Sequence, residues 1–134
     1  MRAAGKVIAD TSIWINAQRR PESGDSVEFW RLYDGREIVM VGPVLAELLH
    51  GSRTQREFDV LLAHLDALSY LEVDQETWSF VGRIRRDLGR EGALIGFSDS
   101  ITAALAIQHA CAVYTLDGDF ARVPGLRLYR RVSS

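Results

Sequence analysis

Short apolar runs, each too brief to be a helix, alternate along this chain with longer stretches whose apolar residues recur at helical spacing, and few folds accommodate that alternation. The runs are Val7–Ala9, Glu37–Val41, Tyr70–Val73, Ala112–Leu116 and Leu126–Tyr129. Ser12 is read as the cap of a helix through Ile13, Trp14 and Ile15, and a loop at Pro21–Asp25 leads into a helix over about Ser26–Tyr33. Gly42-Pro43 opens a helix at the position where proline is tolerated, and Gly51 ends it. Phe58, Leu61, Leu62, Leu65 and Leu68 mark a helix over Thr54–Leu68. Asp74 caps a long helix to about Arg90, with Trp78, Val81, Ile84 and Leu88 on its apolar face. Ser98 caps an alanine-rich helix to about Ala110. The expected fold is α/β: one domain over residues 1–134, with a central parallel twisted sheet of four to five strands and helices on both faces.

With 134 residues and 47% hydrophobic content, the composition matches one core and carries no disorder signature. No apolar leader segment separates Met1–Lys6 from Asp10, and the apolar stretch Ile101–Leu116 is too short to span a bilayer. A cytoplasmic protein without membrane attachment is expected. The lone cysteine, Cys111, reads as a small buried hydrophobe. A net charge of −2 argues against nucleic-acid binding through bulk positive charge. Lys6 is the one lysine, and the arginines group as Arg19-Arg20, Arg83-Arg85-Arg86-Arg90 and Arg127-Arg130-Arg131. Arginine's planar fork suits phosphate.

Four acidic residues fall at the edges of apolar segments or inside them. Asp10 ends the first strand and Asp117 the fourth, in the turn Asp117-Gly118-Asp119. Glu47 interrupts Val44-Leu45-Ala46 and Leu48-Leu49, and Asp99 opens the helix that leads into the fourth strand. In parallel sheets functional groups gather beyond the carboxyl ends of the strands, so the topology brings all four towards one edge. Two carboxylates about 4 Å apart repel by about 4 kcal/mol at an effective dielectric of 20. A hard divalent cation held through oxygen ligands would offset that repulsion. His50, His64 and His109 lack metal-ligand spacing and read as structural or surface residues.

In order and spacing, four segments resemble the PIN-domain ribonucleases, and among them the VapC-type toxins of toxin–antitoxin pairs. They are Val7-Ile8-Ala9-Asp10-Thr11-Ser12-Ile13-Trp14-Ile15, Val44-Leu45-Ala46-Glu47-Leu48-Leu49-His50-Gly51, Asp99-Ser100-Ile101-Thr102-Ala103-Ala104-Leu105-Ala106 and Thr115-Leu116-Asp117-Gly118-Asp119-Phe120. The resemblance implies that Asp10, Glu47, Asp99 and Asp117 are the catalytic, metal-holding set. Ser12 would bond a carboxylate or a water there, and Asp119 stands close enough to substitute for Asp117. It implies Mg²⁺, with Mn²⁺ able to replace it, and hydrolysis of single-stranded or loop RNA to leave a 5′-phosphate. Arg83, Arg85, Arg86 and Arg90 are the first candidates to hold the RNA backbone. It further implies an antitoxin partner covering the acidic site, for which Trp14, Trp30 and the exposed side of the Val44–Leu49 helix are candidate contacts, and a homodimer. Two other aspartate-after-strand families fit less well. A haloacid dehalogenase phosphatase needs a second aspartate where Ser12 stands, and both it and a receiver domain need a downstream lysine. A PIN fold used for RNA processing, or an inactive one serving only to bind a partner, is the alternative.

Overall fold

Successive side chains of a strand point to opposite faces, so a strand buried at every position has both faces covered. Both central strands meet that condition. A computed structural model describes residues 6–132. In it β1 (Val7–Ala9) and β2 (Ile38–Val41) are buried at every residue. β3 (Ser69–Leu71) and β5 (Arg127–Leu128) are more exposed and form the edges, with β4 (Ala112–Tyr114) between β1 and β5. The order is β3-β2-β1-β4-β5, and every pairing is parallel. The chain runs outward from β1 through β2 to β3, then returns to the other side of β1 as β4. The switch point therefore lies between β1 and β4, where a crevice opens beyond the strand ends.

Among the described residues six α-helices accompany these strands: α1 (Thr11–Arg19), α2 (Gly24–Asp34), α3 (Gly42–His50), α4 (Gln55–Leu65), α5 (Gln75–Arg90) and α6 (Phe97–Gln108). The alanines of α6 are fully buried, and this small-residue helix packs closely against α5 and α3. No helix among the described residues is long and apolar enough to cross a membrane. The expected α/β architecture and its five strands are present. Most of the Met1–Lys6 segment, and both ends of the 1–134 assignment, lie outside the described residues.

Several boundaries differ from the sequence reading, each for a local reason. Asp10, not Ser12, caps α1: its backbone is extended and its carboxylate accepts the Ser12 N–H. Ser23 caps α2 through the Ser26 N–H, so the helix begins inside the expected loop. Gly96 takes the cap position of α6 and offers no side-chain bond, which puts Asp99 at the third residue of the helix. β3 sits one to two residues earlier than expected. The largest difference concerns Trp78, which is 49% exposed rather than on the apolar face. The inward stripe of α5 is Thr77, Val81, Ile84 and Leu88. Trp78 lies one residue, about 100°, off that stripe.

Candidate active site

Asp10 emerges at the carboxyl end of the central strand, and three donors from two residues hold its carboxylate. Oδ2 accepts the Ser12 N–H at 3.4 Å, the Ser12 hydroxyl at 2.8 Å and the Thr115 hydroxyl at 2.8 Å. Thr115 follows β4, so this last bond joins the two strand ends that flank the switch point. The same Thr115 oxygen accepts the Asp117 N–H at 2.9 Å, and the Ser12 oxygen accepts the Leu116 N–H at 3.0 Å. Asp10 is buried and caps a helix, so its orientation is doubly determined.

Glu47 stands on α3, exposed, and the Thr11 hydroxyl donates to its Oε1 at 2.7 Å. One dipeptide, Thr11-Ser12, thus sets two carboxylates that are 37 positions apart in the chain. Asp117 caps the 3₁₀ turn Gly118–Arg122 through the Asp119 N–H at 2.9 Å. Asp119 pairs with Arg122 at 3.3 Å. Its charge is therefore partly neutralised, and Asp117 is the freer carboxylate of the turn.

Asp99 occupies the middle of this arrangement. Its carboxyl is pushed up to about 6, first by partial burial and then by the negative charges of Asp10, Asp117, Glu47 and Asp119, in that order. Asp99 thus lies within electrostatic reach of the other three expected residues. Among the described residues none of Asp10, Glu47, Asp99 and Asp117 is ion-paired. Nor do any three acidic, histidine or cysteine side chains stand close enough to share an ion as they are now arranged. The donors are all oxygens, since the three histidines are exposed elsewhere and Cys111 is buried. That donor set fits, in its chemistry, a hard divalent cation of the Mg²⁺ or Mn²⁺ kind.

A pH dependence follows. The folded chain binds the Asp99 proton more tightly than the unfolded chain, whose carboxyl titrates near 3.8. The ionised form therefore destabilises the fold above about pH 6, and this destabilisation disappears as pH falls towards 4. Discounted for solvent screening, the effect is no more than about 1 kcal/mol. In chelator the wild-type melting temperature should rise between pH 7 and pH 5 relative to Asp99→Asn, and divalent cation at pH 7 should reproduce that rise. Parallel pH profiles for the two proteins would contradict the assignment.

The arginine groups are used unevenly. Arg85 donates to the Ile95 carbonyl at 2.9 Å and the Ser100 hydroxyl at 3.1 Å, tying α5 to the start of α6. Arg86 pairs with Asp87 at 2.9 Å, while Arg83 and Arg90 are exposed. Arg131 pairs with Asp25, and Arg127 donates to the Ala110 carbonyl. A groove of about 600 Å³ begins at Glu47 and runs between α1, α3 and α4. Its walls combine Ile15, Leu48 and Val60 with Arg19, Arg53 and Arg56. A smaller hollow of about 170 Å³ next to Leu48 reaches Trp14 and Trp30. Trp14 is otherwise buried, its indole N–H donating to the Ala9 carbonyl at 3.1 Å, whereas Trp30 is 43% exposed. Thr11, Thr115, Arg53 and Arg56 do not stand out in the sequence. Only the hydroxyls beside Asp10 and Asp117 give a local signal for the first two.

Comparison with known proteins agrees with this geometry. A family profile described as PIN domain matches residues 7–126. Ribonuclease VapC11 of Mycobacterium tuberculosis is 30% identical, over 90% of this chain and 96% of its own. Ribonuclease VapC18 of the same organism is 26% identical, over 87% and 86%. Among solved structures, DNA-bound VapBC from Salmonella typhimurium superposes with a TM-score of 0.77 at 24% identity, covering 92% of this chain and 96% of that one. VapBC2 from Rickettsia felis, bound to a promoter DNA fragment, gives 0.76 at the same identity and coverage. At that identity the structural likeness establishes the fold.

Proposed function

The chain belongs to the PIN-domain family and, within it, to the VapC ribonucleases, and we propose that it is a divalent-metal-dependent endoribonuclease acting in the cytoplasm as the toxin of a toxin–antitoxin pair. The observation that carries this reading is the set of unpaired carboxylates from four separate elements around Asp99, at the switch point of a parallel sheet. Asp10, Glu47, Asp99 and Asp117 are assigned as the cation ligands, with Mg²⁺ as the ion and Mn²⁺ as its substitute. When bound, the cation neutralises the carboxylates, increases the acidity of a water and stabilises charge on the leaving 3′-oxygen.

The side chains supply positioning and proton transfer. Ser12 and Thr115 fix Asp10, Thr11 fixes Glu47, and the Asp117-capped turn sets the fourth acid. Water attacks phosphorus as its proton passes to a carboxylate of the set. The bond to the 3′-oxygen breaks and that oxygen takes up a proton from solvent, leaving a 5′-phosphate and a 3′-hydroxyl. The acids repel RNA, so cationic side chains must hold its backbone. Arg83, Arg86 and Arg90 are exposed and suit that role, while Arg85 orders the loop behind them.

The antitoxin is assigned to the groove that starts at Glu47. Its apolar walls, with Arg19, Arg53 and Arg56 beside Glu47 and Glu57, suit an amphipathic segment bearing charges of both signs, and Trp30 extends the apolar surface beside it. A homodimer completes the assignment, on family grounds. Purified protein given cellular RNA should produce new 5′-phosphate ends with Mg²⁺ or Mn²⁺ and none in chelator. Absence of cleavage by protein that still binds its partner would favour the inactive binding module instead.

A further inference from the structure

Two large aromatic side chains remain in solvent beside this site although the core buries others of their size. Phe29, Phe120 and Trp14 are 0%, 1% and 8% exposed, whereas Trp78 and Phe97 are 49% and 55% exposed. Their rings stack nearly parallel, with an interplanar angle of 14° and centroids 6.3 Å apart, so one exposed aromatic pair bridges α5 and α6. The Arg85 guanidinium carbon is 5.4 Å from the Phe97 centroid. Arg85 is itself held by Ile95 and Ser100, so charge and ring are fixed together. Phe97 is the first residue of α6 and Asp99 the third, so both belong to the first turn of that helix but leave it on different sides, about 200° apart.

Resting on the ribonuclease reading, we propose that Trp78 and Phe97 form a stacking platform for an unpaired base of the RNA, one adjoining the scissile phosphate. A flat aromatic surface backed by a guanidinium is the chemistry that binds single-stranded nucleic acid, because every base presents a π-face. The exposed Arg83, Arg86 and Arg90 on the same helix provide phosphate contacts for the strand that carries this base. A base held there selects single-stranded or looped RNA, since a base paired in a duplex is not free to stack on protein. Exposed rings also suit contact between two copies of the chain. The fixed guanidinium over the Phe97 ring favours the base.

The test uses full-length protein and an oligoribonucleotide spanning a cut site mapped in cellular RNA. Each base near the cut is replaced in turn by an abasic residue, and kcat/KM is measured with Mg²⁺. For wild type, one abasic position should lower kcat/KM by roughly 5- to 150-fold. Trp78→Ala and Phe97→Ala should lower it by a similar factor on the intact strand and lose the penalty at that one position. Trp78→Phe should retain most of both. If the alanine variants cut the intact strand at the wild-type rate, the platform is refuted while the ribonuclease reading stands. The platform is equally refuted if they convert a dimer to monomer in sedimentation and keep the wild-type abasic profile. If the wild type yields no cut site to map, the ribonuclease reading fails and the platform falls with it. Thermal melting of each variant separates loss of fold from loss of stacking.

Discussion

Asp10→Asn and Asp99→Asn should each reduce RNA cleavage by at least about 10²-fold, consistent with losing several kcal/mol of charge stabilisation at the reacting phosphate. Host growth arrest should disappear with it. Neither change should unfold the protein. At Asp10 the amide oxygen can still accept from Ser12 and Thr115, and asparagine caps a helix about as well as aspartate. At Asp99 the substitution removes a charge that four neighbouring acids oppose, so the cation-free variant should melt no lower than wild type at pH 7. This pairing of undiminished stability with lost activity separates a ligand from a structural residue. Cleavage within a few-fold of wild type for either variant, measured at saturating Mg²⁺, would remove that residue from the assigned set.

Phe120→Ala should have the largest effect on stability, a loss of about 3–5 kcal/mol from a total of about 5–15 kcal/mol. Phe120 is 1% exposed and anchors the 3₁₀ turn that Asp117 caps. The turn follows a three-residue strand and has few other apolar contacts to the core, so truncating the ring leaves a cavity beneath the fourth acid. Cleavage should therefore fall together with the urea midpoint. A loss below about 1 kcal/mol would mean that the turn is held by its hydrogen bonds alone.

Much of the fold is legible in the sequence because its signals are local. Strand runs and helix stripes repeat every two or 3.6 residues, and α/β topology follows from their alternation. The same reasoning brings Asp10, Glu47, Asp99 and Asp117 to one sheet edge without any side-chain coordinates. It fails where position around a helix matters, since the true stripe of α5 passes one residue away from Trp78. It is also silent wherever a contact joins distant segments, as when Thr11 reaches Glu47 across 36 residues or Thr115 reaches Asp10 across 105. Glu47 shows a related limit: its apolar neighbours suggest a dry setting, but Leu48 lines an open groove and Glu47 itself is exposed.

The sequence by itself determined a parallel sheet of short strands alternating with helices, and four acids at its carboxyl edge, because periodicity and strand ends are written in neighbouring residues. Only the tertiary structure decided which hydroxyls aim those acids, that Asp99 sits among the other three, that Arg122 engages Asp119, and that Arg85 is tied to the α6 start rather than free. Each of those outcomes depends on which chain ends the sheet order sets side by side. Hydrogen bonds and charge repulsion act over a few ångströms of space, however far apart the residues stand in the chain.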